Sequence, residues 1–371
     1  MKNPLEAVRI VDFTHMIAGP LCTQVLADLG ARVVKIEPPG GETSRNLGNV
    51  RFQGHTSYFW SFNRNKTSYV CDFADQKDLA ALETLLREAD VVVDNFRPGT
   101  LARLGLSPDR IELLKPDIIQ CSVSGFDPAD PDFQRPAVDP VIQAISGAME
   151  VNGTLQAGPL KVGMPVGDAL APLYASTAIL FALMRRGADP GKPQRINISM
   201  LGSLISAMAP HDFAYRLTGS FPQRQNNEHP QISPANTYQA ADGRYVTMFA
   251  PNDKHWQAIL ESLGEDAAHL ACHGTSAERA EHRDEIDDCI RRVIASRPAS
   301  HWDERARRFG ALIVPVNGLR EVVSDPTLNE IYYQRLPSGA VVAKSPIRIS
   351  DPPEPLLGPT DPPPLGPNLR A

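Results

Sequence analysis

Cysteine is scarce in this chain and follows no pattern. The five residues, Cys22, Cys71, Cys121, Cys272 and Cys289, are odd in number and nowhere form CxxC, which argues against a disulfide framework and against a cysteine-built structural zinc site. Each reads as a small apolar residue, and no histidine is placed by local sequence to activate one as a nucleophile. No metal ligands are assigned from the sequence. An excess of positive charge is missing too. The 37 Lys and Arg stand against 43 Asp and Glu, a net charge of −6, so neither nucleic acid nor a membrane surface is an expected partner; a local basic pocket for a phosphorylated ligand stays compatible with that balance. The N-terminal MKNPLEAVRIVDF lacks the apolar core and small-residue cleavage site of a signal peptide, and the longest apolar run reads as a core helix rather than a membrane span. The expected location is the cytoplasm. GxGxxG is absent, which removes motif support for a nicotinamide or flavin dinucleotide, and no internal repeat is present.

What remains is the composition of an ordinary globular protein, 42% hydrophobic and 22% charged, in 371 residues with room for two domains and a large core. Val8–Phe13, the helix-like Pro20–Gly30 and ARVVKIE ending at Glu37 form a strand, helix, strand unit of a length suited to parallel pairing. THMIAGP, between the first strand and its helix, lies where doubly wound sheets place ligand contacts. A basic turn, Asn63–Lys66, precedes another strand. Leu79, Leu82, Leu85 and Leu86 then recur at helical spacing, ahead of the buried strand ADVVVDNF and a further strand over about 117–124. Strands alternating with helices predict an α/β layer with a mostly parallel sheet. Residues 127–163 are loop-rich, with 138–150 as a helical candidate, and QRINISM is a strand followed by a helix. The composition turns polar near Gly219, with a hairpin signal at Asp242-Gly243. An α/β style resumes at Gly310, and the Pro-rich tail from Asp351 is expected to lie extended over the surface. The expected domains are 1–218 with 311–371, and a smaller α+β segment at 219–310.

The stretch Gly163–Met200 organises the rest. Asp168 is an isolated carboxylate after Gly167, followed by an apolar run with no charge until Arg185 and Arg186; those suit a helix C-terminus, and Gly187 supplies a stop. Asp168 reads either as an N-cap or as a nucleophile, because a carboxylate attacking an acyl group splits one hard transfer into two easier ones. The nucleophile must be ionised, and a helix N-terminus favours the anion by about 0.3–1 kcal/mol on a starting pKa of about 3.9.

The series VRIVDFTHMIAGPLCTQVLADLGARVVKIEPPGG, NRNKTS, ADVVVDNFRPGTLARLGL, QAISG, Asp168 before an apolar helix, DGRYVTMFAPNDKHW and SPIRIS resembles the class III coenzyme A transferases, the CaiB/BaiF family, in order and over nearly the whole chain. The resemblance implies ring-shaped chains interlocked as a homodimer, each with a large Rossmann-like domain built from both ends of the sequence. It implies that coenzyme A moves from an acyl-CoA to a small carboxylic acid, with no tightly bound cofactor. On it, Asp168 is the nucleophile, passing through an acyl-aspartyl anhydride and an aspartyl-CoA thioester. His15, Met16 and Ala18 match the segment that touches coenzyme A, and Lys66, Asn95, Phe96 and Arg103 match positions at its nucleotide end. Arg97 and Arg135 are further phosphate candidates, and Arg45, Arg51 or His229 are candidates for a substrate carboxylate.

This chain also departs from the family pattern. Ile17 stands where formyl-CoA transferases carry Gln, no glycine-rich loop lies between Leu217 and Pro230, and ALIVPVN replaces IPCGPVN. A 2-methylacyl-CoA racemase on the same fold is the main alternative. It requires two acid/base groups, and Val138 occupies the place of its histidine. A non-catalytic CoA-binding protein is the third reading.

Overall fold

Six β-rich runs pair side by side in one wholly parallel sheet: β1 (Arg9–Asp12), β2 (Arg32–Glu37), β3 (Lys66–Val70), β4 (Val91–Asp94), β5 (Ile119–Ser124) and β6 (Gln194–Ser199). The computed structural model describes residues 3–220, 224, 226–229, 231–349 and 358–370. Residues 351–357 of the Pro-rich tail lie outside the described residues, as do 221–223, 225 and 230 of the polar segment. The central strands β1, β2, β4 and β5 are buried on both faces because the sheet is covered on both. Ile10, Val91 and Val93 face a core shared with α1 (Ala18–Asp28), while Val11 and Val92 point the other way, toward Leu82 and Leu86 of α2 (Gln76–Glu88). The described tail runs along the β3 edge, where the Val70 N–H donates to Pro367 and the Leu369 N–H donates to Val70.

The sequence candidate at 138–150 is two helices rather than one. α3 (Asp139–Ile145) stops at Gly147, whose φ of 86° is left-handed, and a short turn of helix follows at Ala148–Val151. The apolar stretch after Asp168 is α4 (Val166–Ala188), and it differs from expectation at its end and on its surface. Gly187 continues the helix, which ends ahead of Pro190, a residue with no N–H to offer the next turn. Ala171, Ala175 and Ile179 are fully buried, yet Leu173, Phe181 and Met184 stand 50, 65 and 77% exposed. Only one stripe of α4 is therefore core. β6 and α5 (Met200–Ala207) follow it.

The chain divides into two units, Met1–Met149 with Lys161–Phe213 and Glu330–Ala371, and Glu150–Leu160 with Ala214–Asn329. In the second unit the hairpin at Asp242-Gly243 joins β7 (Ala235–Gln239) to β8 (Tyr245–Phe249). β9 (Ile313–Pro315) pairs antiparallel to β8. That pairing keeps 311–329 in the second unit, where the sequence reading had returned the chain to the large domain at 311.

The first unit contains buried charges that must be paired to be tolerated. Lys66 Nζ donates to Asp12 Oδ2, Pro20 O and Asn63 Oδ1, each at 3.0 Å, and its side chain has no solvent exposure. Burial alone would push the Asp12 carboxyl up; Lys66, Lys35 and the hydroxyls of Thr14 and Thr23 outweigh it and bring the pKa to about 2. Burial lowers Lys66 to about 8 against the pull of Asp12. All three ammonium donors are thus used inside the protein, and the expected phosphate contact from Lys66 is corrected to a structural tie between β1 and β3. Arg45 is likewise engaged, with Nε and Nη2 each 2.6 Å from the Glu37 carboxylate and the guanidinium over the Phe59 ring, so it is not free for a substrate acid.

Replacing Lys66 by Met strands the Asp12 carboxylate in the core. Urea unfolding at pH 7 should show a loss of about 3–5 kcal/mol; an unchanged midpoint with weaker coenzyme A binding would return Lys66 to the ligand.

Candidate active site

The sheet runs in the order β6-β5-β4-β1-β2-β3. β1 crosses over toward β2 and β4 crosses over the opposite way toward β5, so the loops leaving the carboxyl ends of these two neighbouring strands part and open a crevice. A cavity of about 600 Å³ lies there, within the size range of small-molecule sites. His15–Ala18 form one bank, Asn95–Pro98 the other, and Val123–Gly125 and Gly163–Asp168 close it.

A reciprocal pair of hydrogen bonds ties the two banks. The His15 N–H donates to Asn95 Oδ1 and Asn95 Nδ2 donates to His15 O, each at 2.9 Å. The chain turns there through Met16, which has a left-handed φ of 67°. It then enters α1 so tightly that a Cβ on Gly19 would sit 2.4 Å from the Thr14 side chain. The His15 ring lies against Phe96, with centroids 5.3 Å apart. Burial, foremost, holds its pKa below the ordinary histidine value, and its Nδ1 is buried without a hydrogen-bond partner among the described residues.

Asp168 reaches the same cavity from α4. As the crossover helix between β5 and β6, α4 must begin at the carboxyl edge of the sheet, and Asp168 is its third residue. It is not the N-cap: that position is Pro165, and among the described residues no hydrogen bond reaches the Asp168 carboxylate. The start of α4 is held from α3 instead. Asp139 Oδ1 accepts the Gly167 N–H at 2.7 Å, a contact that leaves a Cβ on Gly167 only 3.1 Å from the same oxygen. Asp139 Oδ2 accepts Gln143 Nε2 at 2.7 Å, and Gln143 Oε1 accepts the Val162 N–H at 2.8 Å.

The electrostatics of the site run against the helix N-terminus. Burial and the neighbouring charge of Asp139 push Asp168 up to about 6, overriding the pull of the helix N-terminus. A carboxylate with that pKa is still mostly ionised at pH 7, and it is a stronger base than a free one. Ionisation nevertheless costs the fold energy.

His15, Met16, Ala18, Asn95, Phe96 and Asp168 line one cavity, and Arg97 and Arg135 stand on its wall with Lys161, which the sequence reading passed over. Lys66 and Arg103 do not line it. Arg103 is exposed on a helical turn outside the cavity and donates to Thr100 Oγ1 at 2.7 Å through one of its five N–H groups. Asp139 and Gln143 also escaped the sequence reading. Their signal was Asp139-Pro140, an acid and a proline opening a helix, with Gln143 one turn on.

Because the folded pKa of Asp168 lies above the ordinary carboxylate value, its ionisation penalty is absent below pH of about 4 and complete above about 6. Asp168→Asn should therefore raise Tm at pH 7, with a gain that shrinks to nothing as the pH falls toward 4. A gain independent of pH would contradict the raised pKa.

Comparison with known proteins points to one family. Residues 5–367 match the model of CoA-transferase family III. The chain is 32% identical over 358 residues to an acetyl-CoA:oxalate CoA-transferase of Acetobacter aceti, covering 94% of this chain and 90% of that protein. It is 30% identical to human succinyl-CoA:glutarate CoA-transferase, covering 87% of this chain and 74% of the relative. A crystal structure of a CaiB/BaiF family protein from Brucella suis superposes with a TM-score of 0.85 at 30% identity, covering 95% and 94% of the two chains. With the family model matched across nearly its whole length, and with relatives at this level of identity, the chain belongs to CoA-transferase family III.

Proposed function

We propose that this enzyme moves coenzyme A from an acyl-CoA thioester to a small carboxylic acid by covalent catalysis on Asp168. The observation that carries the reading is a carboxylate with no hydrogen-bond partner among the described residues, of raised basicity, at the wall of the cavity where the sheet order reverses.

The chemistry balances without water or metal. An Asp168 oxygen attacks the thioester carbonyl, and the carbon–sulfur bond breaks to release the thiolate, leaving an acyl-aspartyl anhydride. The thiolate attacks the aspartyl carbonyl, expelling the donor acid as its carboxylate and forming aspartyl-CoA. The acceptor carboxylate then attacks that thioester, giving a second anhydride, and the returning thiolate takes the acceptor acyl group and frees Asp168. A raised pKa strengthens Asp168 as the attacking carboxylate, and it still departs from the second anhydride as a carboxylate, a better leaving group than the thiolate. Arg97, Arg135 and Lys161 supply positive charge for phosphates or an acid. The relatives named for oxalate and glutarate transfer support a dicarboxylic acceptor.

A racemase requires a second proton carrier. Position 138, on the cavity wall, is valine. The exposed Leu173, Phe181 and Met184 of α4 support a homodimer that covers this apolar face.

Incubation with a panel of acyl-CoAs, trapping with hydroxylamine and mass spectrometry should locate modification on Asp168. Asp168→Ala should lose both the adduct and the transfer. Acyl-CoA binding with deuterium exchange at the α-carbon and no adduct would favour the racemase; binding with neither would leave a non-catalytic protein.

Transfer should fall with pH on an acid limb near 6, as Asp168 takes up a proton. Asp139→Asn removes the neighbouring charge while keeping an oxygen for the Gly167 N–H, so this limb should move to lower pH. An unmoved limb would show that Asp139 acts on packing alone.

A further inference from the structure

The second unit holds a cluster that CoA transfer does not use. His273 follows the short helix Glu265–Cys272, His282 is the residue before the helix Arg283–Ile294, and Glu285 is in the first turn of that helix. Their ligating atoms all lie within 4.8 Å of one another. Glu285 Oε2 is 3.7 Å from His273 Nε2 and 3.5 Å from His282 Nδ1.

We propose that His273, His282 and Glu285 form a binding site for one divalent transition-metal ion of the zinc class, which fastens residue 273 to the start of the 283–294 helix.

Three observations support the assignment. The first is the donor set. Two imidazoles and one carboxylate suit Zn²⁺ and its neighbours, whereas Ca²⁺ and Mg²⁺ take oxygen ligands. The second is the spacing. Donors held about 2.0–2.2 Å from one tetrahedral ion lie about 3.3–3.6 Å apart, so the observed 3.5 and 3.7 Å need little contraction. The third is an unmet need: the His273 side chain is only 10% exposed, and its Nε2 is buried with no hydrogen-bond partner among the described residues. An orphaned buried nitrogen is costly, and an ion bound there would satisfy it. The two rings are stacked at 4.3 Å, so His282 must turn to present its lone pair. Its side chain is 49% exposed and can do so without disturbing the core. A fourth position is left for water. Sequence inspection could not assemble this set, because His273 and His282 are nine residues apart and share no repeated spacing.

The test uses the full-length protein, stripped with a chelator and dialysed. Calorimetric titration with Zn²⁺ alone should show one equivalent bound and a higher Tm, and Co²⁺ alone should give the visible bands of a four-coordinate site. His282→Ala and Glu285→Gln alter exposed side chains and leave the fold intact. Each should weaken Zn²⁺ binding by more than the roughly 10–100-fold typical of losing an outer-shell partner. Cys272→Ser controls for the exposed thiol beside His273 and should bind as the unaltered protein does. Absence of a stoichiometric ion in the unaltered protein overturns the proposal. So does binding that survives the His282→Ala, Glu285→Gln double variant, or binding lost only with Cys272.

Discussion

The reversal of strand order between β1 and β4 is the constraint on which the site depends. Parallel strands need crossovers, and crossovers that leave in opposite senses cannot cover the carboxyl ends of the two strands between them. The gap is stabilised by groups that use the backbone rather than the ligand. Asn95 clasps both the N–H and the C=O of His15, and Lys66 anchors Asp12 beneath the loop that follows it.

Asp168 is the product of two competing effects. The first turn of a helix lowers a carboxyl pKa by less than one unit, and burial beside a second carboxylate raises it by more. The second effect prevails, because Asp139 is fixed close by through its bond to the Gly167 N–H. The same contact that shapes the start of α4 therefore tunes its carboxylate. Position and basicity are set together by one short approach, in which a Cβ at 167 would press on Asp139 Oδ1 at 3.1 Å.

Much of the large unit was legible from period and punctuation. Val91, Val92 and Val93 form a continuous apolar run that reads as a doubly covered strand, and they prove to face two different cores. Leu82 and Leu86 show helical spacing and are both fully buried. The ordered set of motifs also pointed to the family. What misled was local chemistry without its partners. Lys66 in a basic turn reads as a phosphate ligand until Asp12, fifty-four residues earlier, is found beside it. Arg45 reads as a candidate for a substrate acid until Glu37 is found against its guanidinium. Gly187 reads as a stop although nothing requires a positive φ there.

The sequence by itself determined the elements, the parallel sheet and the isolation of Asp168 ahead of a long apolar helix, because these follow from hydrophobic period, turn residues and the spacing of charge. It also carried the resemblance that the family match bears out. Tertiary structure alone decided which of the charged residues are free. Asp12, Glu37, Arg45 and Lys66 neutralise one another inside the fold, whereas Asp168 keeps an unpartnered carboxylate beside Asp139. The physical reason is range: helix and strand signals act over a few residues, but desolvation and ion pairing depend on groups that meet only when the sheet closes.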